Sequence, residues 1–421
     1  MSINHKIEKY EHKIANTNNI SRKSAYTKKL KQYQMLNMHG GKNELMKPVP
    51  IDKSNLTNYS LKKYIGKNTI AAIGYGAMDK NKPLEHVLFE RRSPKDNDVL
   101  IEILYSGICH SDWHFITGEW EAEYPLIPGH EIVGRVIGLG DNTTKFKIGD
   151  YVAVGPAVDS CGKCARCNEY YEQYCINGVT EVYNSFERKP GDIKPSGPIT
   201  YGGYSNIVVV KDKFVFKVPD NLDIKRVPPL MCAAATMYQP LKQMITKPGV
   251  TIGIAGIGGL GHIGVKLAKA MGAKVVAITH TDWKIEDSIR LGADNVILST
   301  DFQQMEAAKG TLDFIISTIP VPHNIDPYVE LLKFRGGLWI VGSLFPMAID
   351  PSSLSFINGH LISSILAGTA ETQELLDFCS EHEIMPDVEL ISVADINGTR
   401  LKLLESKVKY RFVIDLATIQ K

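Results

Sequence analysis

The chain contains no uninterrupted run of 18 apolar residues, so a membrane-spanning helix is not expected. Its N-terminus is polar with no apolar stretch behind it, so no secretory leader is expected either. Cysteine is scarce, seven in 421 residues, too few for a disulfide framework at this length. A large net charge is also missing: the formal total is +2, which argues against a polyanion binder as a whole. What remains is ordinary for a globular protein, 44% hydrophobic and 22% charged. Length suggests two or three domains, and the thiol usage suggests a reducing, cytoplasmic setting.

The small total conceals an uneven distribution. Residues 1–67 carry 14 Lys/Arg against 4 Asp/Glu, so the remaining 354 residues are acidic by eight charges. With Lys, Asn and Ser in excess and little apolar periodicity, residues 1–67 read as a basic N-terminal extension, disordered or loosely helical. Either it is a solvated tail, or it tethers the molecule weakly to an anionic surface or nucleic acid. The acidic remainder makes nucleic acid an unexpected partner for the body of the protein.

From residue 68 the texture is that of short strands broken by Gly-Asp and Pro-Gly turns. Val99–Leu104, Ile132–Ile137 and Tyr151–Val154 read as strands, giving an antiparallel β domain over 68–224. After Asp223, strand-like and helical stretches alternate. Thr251–Ala255, Lys274–Thr279, Asn295–Leu298, Phe314–Ser317 and Gly337–Gly342 read as strands. Gly261–Met271, Trp283–Leu291 and Pro327–Leu332 read as helices between them. Alternation of this kind implies an α/β domain with a doubly wound parallel sheet, spanning 225–362. Residues 363–421 return to the β domain, with a helix near Thr372–Cys379 and a last strand near Tyr410–Ile414.

Gly256, Gly258 and Gly261 supply GxGxxG between the first of those strands and its helix, with Gly259 and Leu260 inside the motif. The turn must be tight, the pyrophosphate must approach the backbone and the helix must pack close, which requires glycine. The helix N-terminus then offers free N–H groups to phosphate. The following strand ends in Thr279-His280-Thr281, with Lys284 just beyond. An acid at Thr279 would accept from a ribose 2′-hydroxyl, whereas hydroxyls, an imidazole and an ammonium suit a 2′-phosphate. NADP(H) is therefore the expected dinucleotide, although Asp282 lies nearby.

Cys161, Cys164, Cys167 and Cys175 lie within 15 residues. Four thiolates at this density suit tetrahedral zinc and leave no open position, so this site is structural. The spacing is not that of a zinc ribbon, which argues against a nucleic-acid module. A second set is dispersed: Cys109, His130 with Glu131, and Cys232. Two cysteines, one histidine and an open position form one arrangement of catalytic zinc. Spacing alone does not assemble them, and Cys232 by itself reads equally as a buried apolar thiol.

Sequence blocks carry that argument further. GICHSDWH, YPLIPGHEIVGRV, GDYVAVGP leading into SCGKCARC, PLMCAAATMY, GIGGLGHIGVKLAKAMGA and TQELLDFCSEHEI occur in this order over roughly 350 residues. From about residue 68 onward the chain resembles the zinc-containing medium-chain dehydrogenase/reductase superfamily, and within it the cinnamyl alcohol dehydrogenase-like branch. The resemblance implies a GroES-like catalytic domain and a Rossmann domain. It implies Cys109, His130 and Cys232 as ligands of catalytic zinc with Glu131 able to approach, and therefore two zinc ions per chain. It also implies Ser111 and His114 as a proton relay, His110 at the cofactor, and a homodimer joined near Leu361–Leu366.

The chemistry then expected is hydride exchange between NADP(H) and a primary alcohol or aldehyde, aromatic or allylic in kind. A non-catalytic NADPH-binding relative is the alternative. Asp112 reads either as the carboxylate that orients His130 or as a plain loop residue. Trp113 and Trp120 read either as pocket lining or as core. The chain departs from the family in Ser111 where Thr is common, in the bulk of Trp113, and in residues 1–67.

Overall fold

The computed structural model describes residues 9, 11–17, 45–51, 69–189, 191–342, 345–405 and 408–420. The strand Asp98–Ile108 is the spine of the N-terminal half. It alternates buried and half-exposed positions along much of its length, as a strand with one covered face should. It pairs antiparallel with Ile132–Leu139, Ile207–Lys211 and Arg411–Asp415. Tyr151–Val154 and Val215–Lys217 extend one edge, and Val388–Ser392 closes the other, parallel to Arg411–Asp415. Strands from near residue 100 and near residue 410 thus lie side by side, bringing the C-terminal segment back to the first sheet.

The second half has another logic. Thr251–Ala255 and Lys274–Thr279 are buried along nearly their whole length, as expected of strands covered on both faces. The six strands run in the order Asn295–Leu298, Lys274–Thr279, Thr251–Ala255, Leu312–Ser317, Leu332–Ile340, His360–Ser363, all parallel. Counted along the chain this is 3-2-1-4-5-6, with the switch point beside Thr251–Ala255, where dinucleotides bind in such sheets. One apolar cluster joins both halves: Val133, Ala153 and Phe216 pack with Met237, Ile252 and Leu376. Among the described residues no helix is long and apolar enough to cross a membrane.

Two sequence expectations need correction, and one helix is unexpected. The helix expected at Pro327–Leu332 is only Asp326–Val329, and Leu332 already begins a strand paired to Leu312. Pro327 favours the first turn of a helix, but the apolar Leu331 and Leu332 belong to the sheet. The buried helix Ala233–Met244 goes unannounced in the sequence, where Pro240 stands against a helix and almost every side chain is covered.

The second correction concerns the extension at 1–67. Residues 45–51 are docked, not loose. Val49–Pro50 pairs with Leu88 and Val87 on the open edge of the Glu85–Arg92 strand, forming a three-stranded sheet with Thr69–Gly76. Met46 is 1% exposed; its N–H donates to Glu90 Oε2 at 3.2 Å and its carbonyl accepts from Glu90 N–H at 3.1 Å. Proline tolerates an edge position, where its missing N–H costs nothing. Most of the remaining extension lies outside the described residues.

Burial of a methionine side chain contributes about 1.5–3 kcal/mol. A protein beginning at residue 52 should therefore melt roughly 5 °C below one beginning at residue 45. Equal melting temperatures by calorimetry would show the docked segment to be dispensable.

Candidate active site and cofactor site

Cys109 sits where the Asp98–Ile108 strand gives way to the helix His110–Thr117, at the helix N-cap. The turn is held by Asp112, whose Oδ2 accepts from Cys109 N–H at 2.9 Å. Asp112 is fully buried and also accepts from Gly129 N–H at 3.1 Å and from the Tyr204 hydroxyl at 3.0 Å. Its Oδ1 lies 3.2 Å from His130 Nδ1. One carboxylate thus fixes the cysteine loop, the Pro128–Glu131 loop and the imidazole. With Nδ1 tied there, Nε2 is the nitrogen free to bind a metal.

Glu131 follows, at 0% exposure, and its backbone carbonyl accepts from Gly107 N–H at 2.8 Å. A Cβ on Gly107 would lie 2.0 Å from Glu131 Oε2, so the strand approaches this carboxylate as only glycine permits. Cys232 comes from the short turn Pro228–Met231, just before the Ala233–Met244 helix.

Together Cys109, His130, Glu131 and Cys232 offer ligand atoms all within 4.8 Å of one another. The Cys109 thiol is pulled well below its ordinary range by a hydrogen bond with Cys232, and Arg411 and His130 add to this against its burial. Cys232 is pushed up by the same bond. Burial raises the Glu131 carboxyl to about 7, opposed by Arg411. Glu131 Oε2 has no hydrogen-bond partner. A buried, partly anionic set of two sulfurs, one imidazole and one unsatisfied carboxylate oxygen fits zinc.

Arg411, at 3% exposure, hydrogen-bonds to Glu131 Oε1 and is missed by sequence reasoning. No local signal could link two residues 280 positions apart. Ser111 Oγ lies 3.7 Å from Cys109 Sγ. His114, three residues along the same helix, is not hydrogen-bonded to it. Instead His114 Nδ1 lies 2.7 Å from Glu119 Oε2, and its ring stacks on Trp120 at 4.7 Å. That bond holds Glu119 below the usual carboxylate range. His110 is half-buried, and loss of solvent there lowers its pKa; its ring centre lies 6.5 Å from that of His114. Trp113 packs against the core of the β domain, while Trp120 faces His114 and Phe115.

The glycine-rich turn has its own geometry. Gly256 has φ +89°, a left-handed conformation that favours glycine. A Cβ on Gly261 would lie 2.0 Å from the Gly256 carbonyl oxygen, so strand and helix meet here without room for a side chain. Gly258 faces open space: a Cβ placed on it would meet nothing within 4 Å. Leu260 occupies the N-cap of the Gly261–Ala270 helix, which has no side-chain cap; His262 N–H donates to the Gly258 carbonyl at 3.0 Å, and the helix start otherwise faces a phosphate with no side chain in the way. This open, uncapped cradle fits a pyrophosphate.

Thr279 ends the second strand at 3% exposure, and its Oγ1 accepts from Thr281 N–H at 3.3 Å. His280 is exposed. Lys284 is 6% exposed, closer in than the sequence suggests, and burial lowers its pKa.

The four remaining ligand candidates form a separate cluster. Cys161, Cys164, Cys167 and Cys175 also lie within 4.8 Å of one another. Cys164 and Cys167 Sγ are 3.4 Å apart, and backbone N–H groups of Cys167 and Ile176 pull the Cys164 thiol down. The loop is pinned to the 365–369 segment. Glu172 accepts from Thr369 N–H at 3.1 Å, and Gln173 Nε2 donates to the Leu366 carbonyl at 2.8 Å. Four sulfurs with no competing group fit a closed zinc site. The seventh cysteine, Cys379, is buried in the Thr369–Glu381 helix among apolar residues and takes no part.

Comparison with known proteins bears on the whole chain. The alcohol dehydrogenase GroES-like domain matches residues 95–220, and the zinc-binding dehydrogenase domain matches residues 259–381. A probable zinc-type alcohol dehydrogenase-like protein of Acanthamoeba polyphaga mimivirus is 55% identical over 419 residues, 99% of each chain. The cinnamyl alcohol dehydrogenase structure from Sorghum bicolor superposes with TM-score 0.79 at 38% identity, covering 82% of this chain and 98% of its own. That of the cinnamyl alcohol dehydrogenase from Helicobacter pylori complexed with NADP(H) gives 0.76 at 37%, covering 83% and 99%.

The share of this chain left uncovered by those two structures is about the length of the 1–67 extension, which the mimivirus protein matches. Fold, domain families and these relatives agree: the chain is an alcohol dehydrogenase of the zinc-containing medium-chain dehydrogenase/reductase superfamily, in its cinnamyl alcohol dehydrogenase-like branch.

Proposed function

We propose that the chain interconverts a primary alcohol and its aldehyde with NADP(H), using one zinc at Cys109, His130 and Cys232 and a second at the four-cysteine loop. The observation that carries this reading is the convergence of Cys109, His130, Glu131 and Cys232 within 4.8 Å, from three remote chain segments. Zinc held there would withdraw charge from a substrate oxygen, and a nicotinamide would take or give the hydride.

The chain's own residues do the rest. Asp112 fixes the His130 ring through Nδ1, which leaves Nε2 as the nitrogen that would hold a zinc ion. Arg411 holds Glu131 by Oε1 and offsets its charge, leaving Oε2 free beside the ligand set. Ser111 Oγ, next to the Cys109 sulfur, takes the proton of a bound hydroxyl or returns it to a carbonyl oxygen. His114 is the outer base: its Nδ1–H donates to Glu119 and its ring lies flat against Trp120, so Nε2 keeps the lone pair that accepts the proton. Ser111 and His114 are not in contact, so a proton passing from one to the other would need a bridging hydroxyl or water between them. Trp120 and Phe115 offer flat apolar surfaces beside His114, which suits an aromatic or allylic substrate. A homodimer is proposed through the unpaired edge of the His360–Ser363 strand, where Leu361 is 41% exposed.

The test is oxidation of NADPH and NADH against a panel of aliphatic and aromatic aldehydes, with zinc counted in the same preparation. Two zinc ions per chain and faster turnover with NADPH are expected; fewer ions, or faster turnover with NADH, would refute it. Thr279→Asp places a carboxylate where a 2′-phosphate would sit. Affinity for NADPH should fall about tenfold, ~1.4 kcal/mol, with NADH binding kept or improved. An unchanged ratio would mean that another residue reads the phosphate.

A further inference from the structure

Residues 409–411 run from the sheet of the β domain across the mouth of the dinucleotide fold. Arg411 opens the last strand and lies against the glycine-rich turn: a Cβ on Gly259 would meet its Cδ at 2.8 Å. Tyr410 is 2% exposed. Its ring stacks on His262 of the Gly261–Ala270 helix at 4.7 Å and 11°, and its hydroxyl hydrogen-bonds to Asp287 of the Lys284–Arg290 helix. Its N–H donates to the Asp387 carbonyl at 3.0 Å. His262 accepts from Asp387 N–H at 3.2 Å through Nε2, so its other nitrogen, 3.2 Å from the Gly258 carbonyl, is the one that donates. Tyr410 and Arg411 are so fixed, and Lys409 leads into them.

Lys409 lies over the first turn of the Lys284–Arg290 helix. The Lys409 ammonium lies 5.5 Å from the centre of the Trp283 ring, and the Lys284 ammonium lies 5.2 Å from the same ring. Two cations from different domains therefore share one indole, a few residues beyond Thr279, His280 and Thr281. The carboxylate nearest to Lys409 is Asp287, 3.6 Å away. It is already engaged by the Tyr410 hydroxyl and by Arg290 at 2.8 Å. Asp287 therefore answers Lys409 only in part, and 55% of the Lys409 side chain stays exposed, open to a further anion.

We infer that Lys409 is a second cation for the 2′-phosphate of NADP(H), a specificity-determining residue that the β domain supplies to the dinucleotide fold. This rests on the reading of NADP(H) as the cofactor. Lys284 faces the phosphate from within its own domain, and Lys409 from across the junction. Lys409 is largely exposed, so its attraction is screened by salt, as Lys284's is not.

The experiment measures NADPH and NADH affinity by calorimetric titration of the zinc-loaded full-length protein, in wild type, Lys409→Gln and Lys409→Arg, at low and high salt. Lys409→Gln is expected to bind NADPH about fivefold more weakly at low salt, with NADH unchanged and melting temperature unmoved. Lys409→Arg should retain NADPH affinity, and the Gln defect should shrink as salt rises. If NADPH affinity does not move, or both dinucleotides weaken equally, the assignment of Lys409 is overturned while the cofactor reading stands. A wild-type protein that binds both dinucleotides equally would remove the cofactor reading, and Lys409's role with it.

Discussion

Cys109→Ser should lower turnover by about three orders of magnitude or more while leaving NADPH affinity nearly intact. The separation of the two effects follows from geometry. Asp112 caps the His110–Thr117 helix through the Cys109 backbone N–H, which serine keeps. The dinucleotide turn at Gly256–Gly261 does not touch the cysteine. The lost sulfur belongs to a set whose members must be deprotonated to bind metal, and the site already favours the Cys109 thiolate through Cys232, Arg411 and His130. A serine oxygen is a harder and far less acidic ligand, so zinc occupancy should fall from two to one per chain. Loss of Lewis-acid stabilisation is worth several kcal/mol, which sets the rate estimate. A variant that still turns over at a tenth of the wild-type rate with one zinc fewer would sink the metal-centred chemistry.

The dinucleotide half is the more legible in the sequence. A strand of Ile and Ala, three glycines at fixed offsets and an apolar-periodic helix state the turn locally, and the alternation after Asp223 states the sheet. The metal set is legible only through resemblance: Cys109, His130 and Cys232 lie far apart along the chain, and nothing near any one of them specifies the other two. Arg411 is an extreme case, since its partner Glu131 is reached only because the last strand pairs with Asp98–Ile108. The docked segment at 45–51 escapes because two paired residues, one a proline, carry no periodicity. Lys284 reads in the sequence as an exposed cation; the structure buries it with its ammonium 5.2 Å from the centre of the Trp283 ring, a cation–π contact that spacing along the chain does not announce.

Cys164→Ser should chiefly damage the fold, lowering the melting temperature by more than about 10 °C. The three sulfurs around Cys164 are buried or half-buried, and they have almost no apolar neighbours to hold the loop without an ion. Metal binding in such a loop is itself folding free energy, about 10–16 kcal/mol apparent for small zinc peptides, of which a loop anchored elsewhere would show a part. The anchors are specific. Glu172 also pairs with Lys213 at 2.7 Å, and the Tyr174 hydroxyl accepts from Ile365 N–H at 3.2 Å, so a slack loop releases the segment that follows the His360–Ser363 strand. The proposed dimer edge would loosen with it, and the variant should elute as a smaller species on size exclusion. Zinc should again fall to one per chain, but the remaining ion now sits at Cys109, so turnover per folded molecule at low temperature should persist. Chelator treatment of the wild type should reproduce the lower melting temperature. Equal melting curves for wild type with chelator, wild type without it and Cys164→Ser would show that these four sulfurs hold no structural metal.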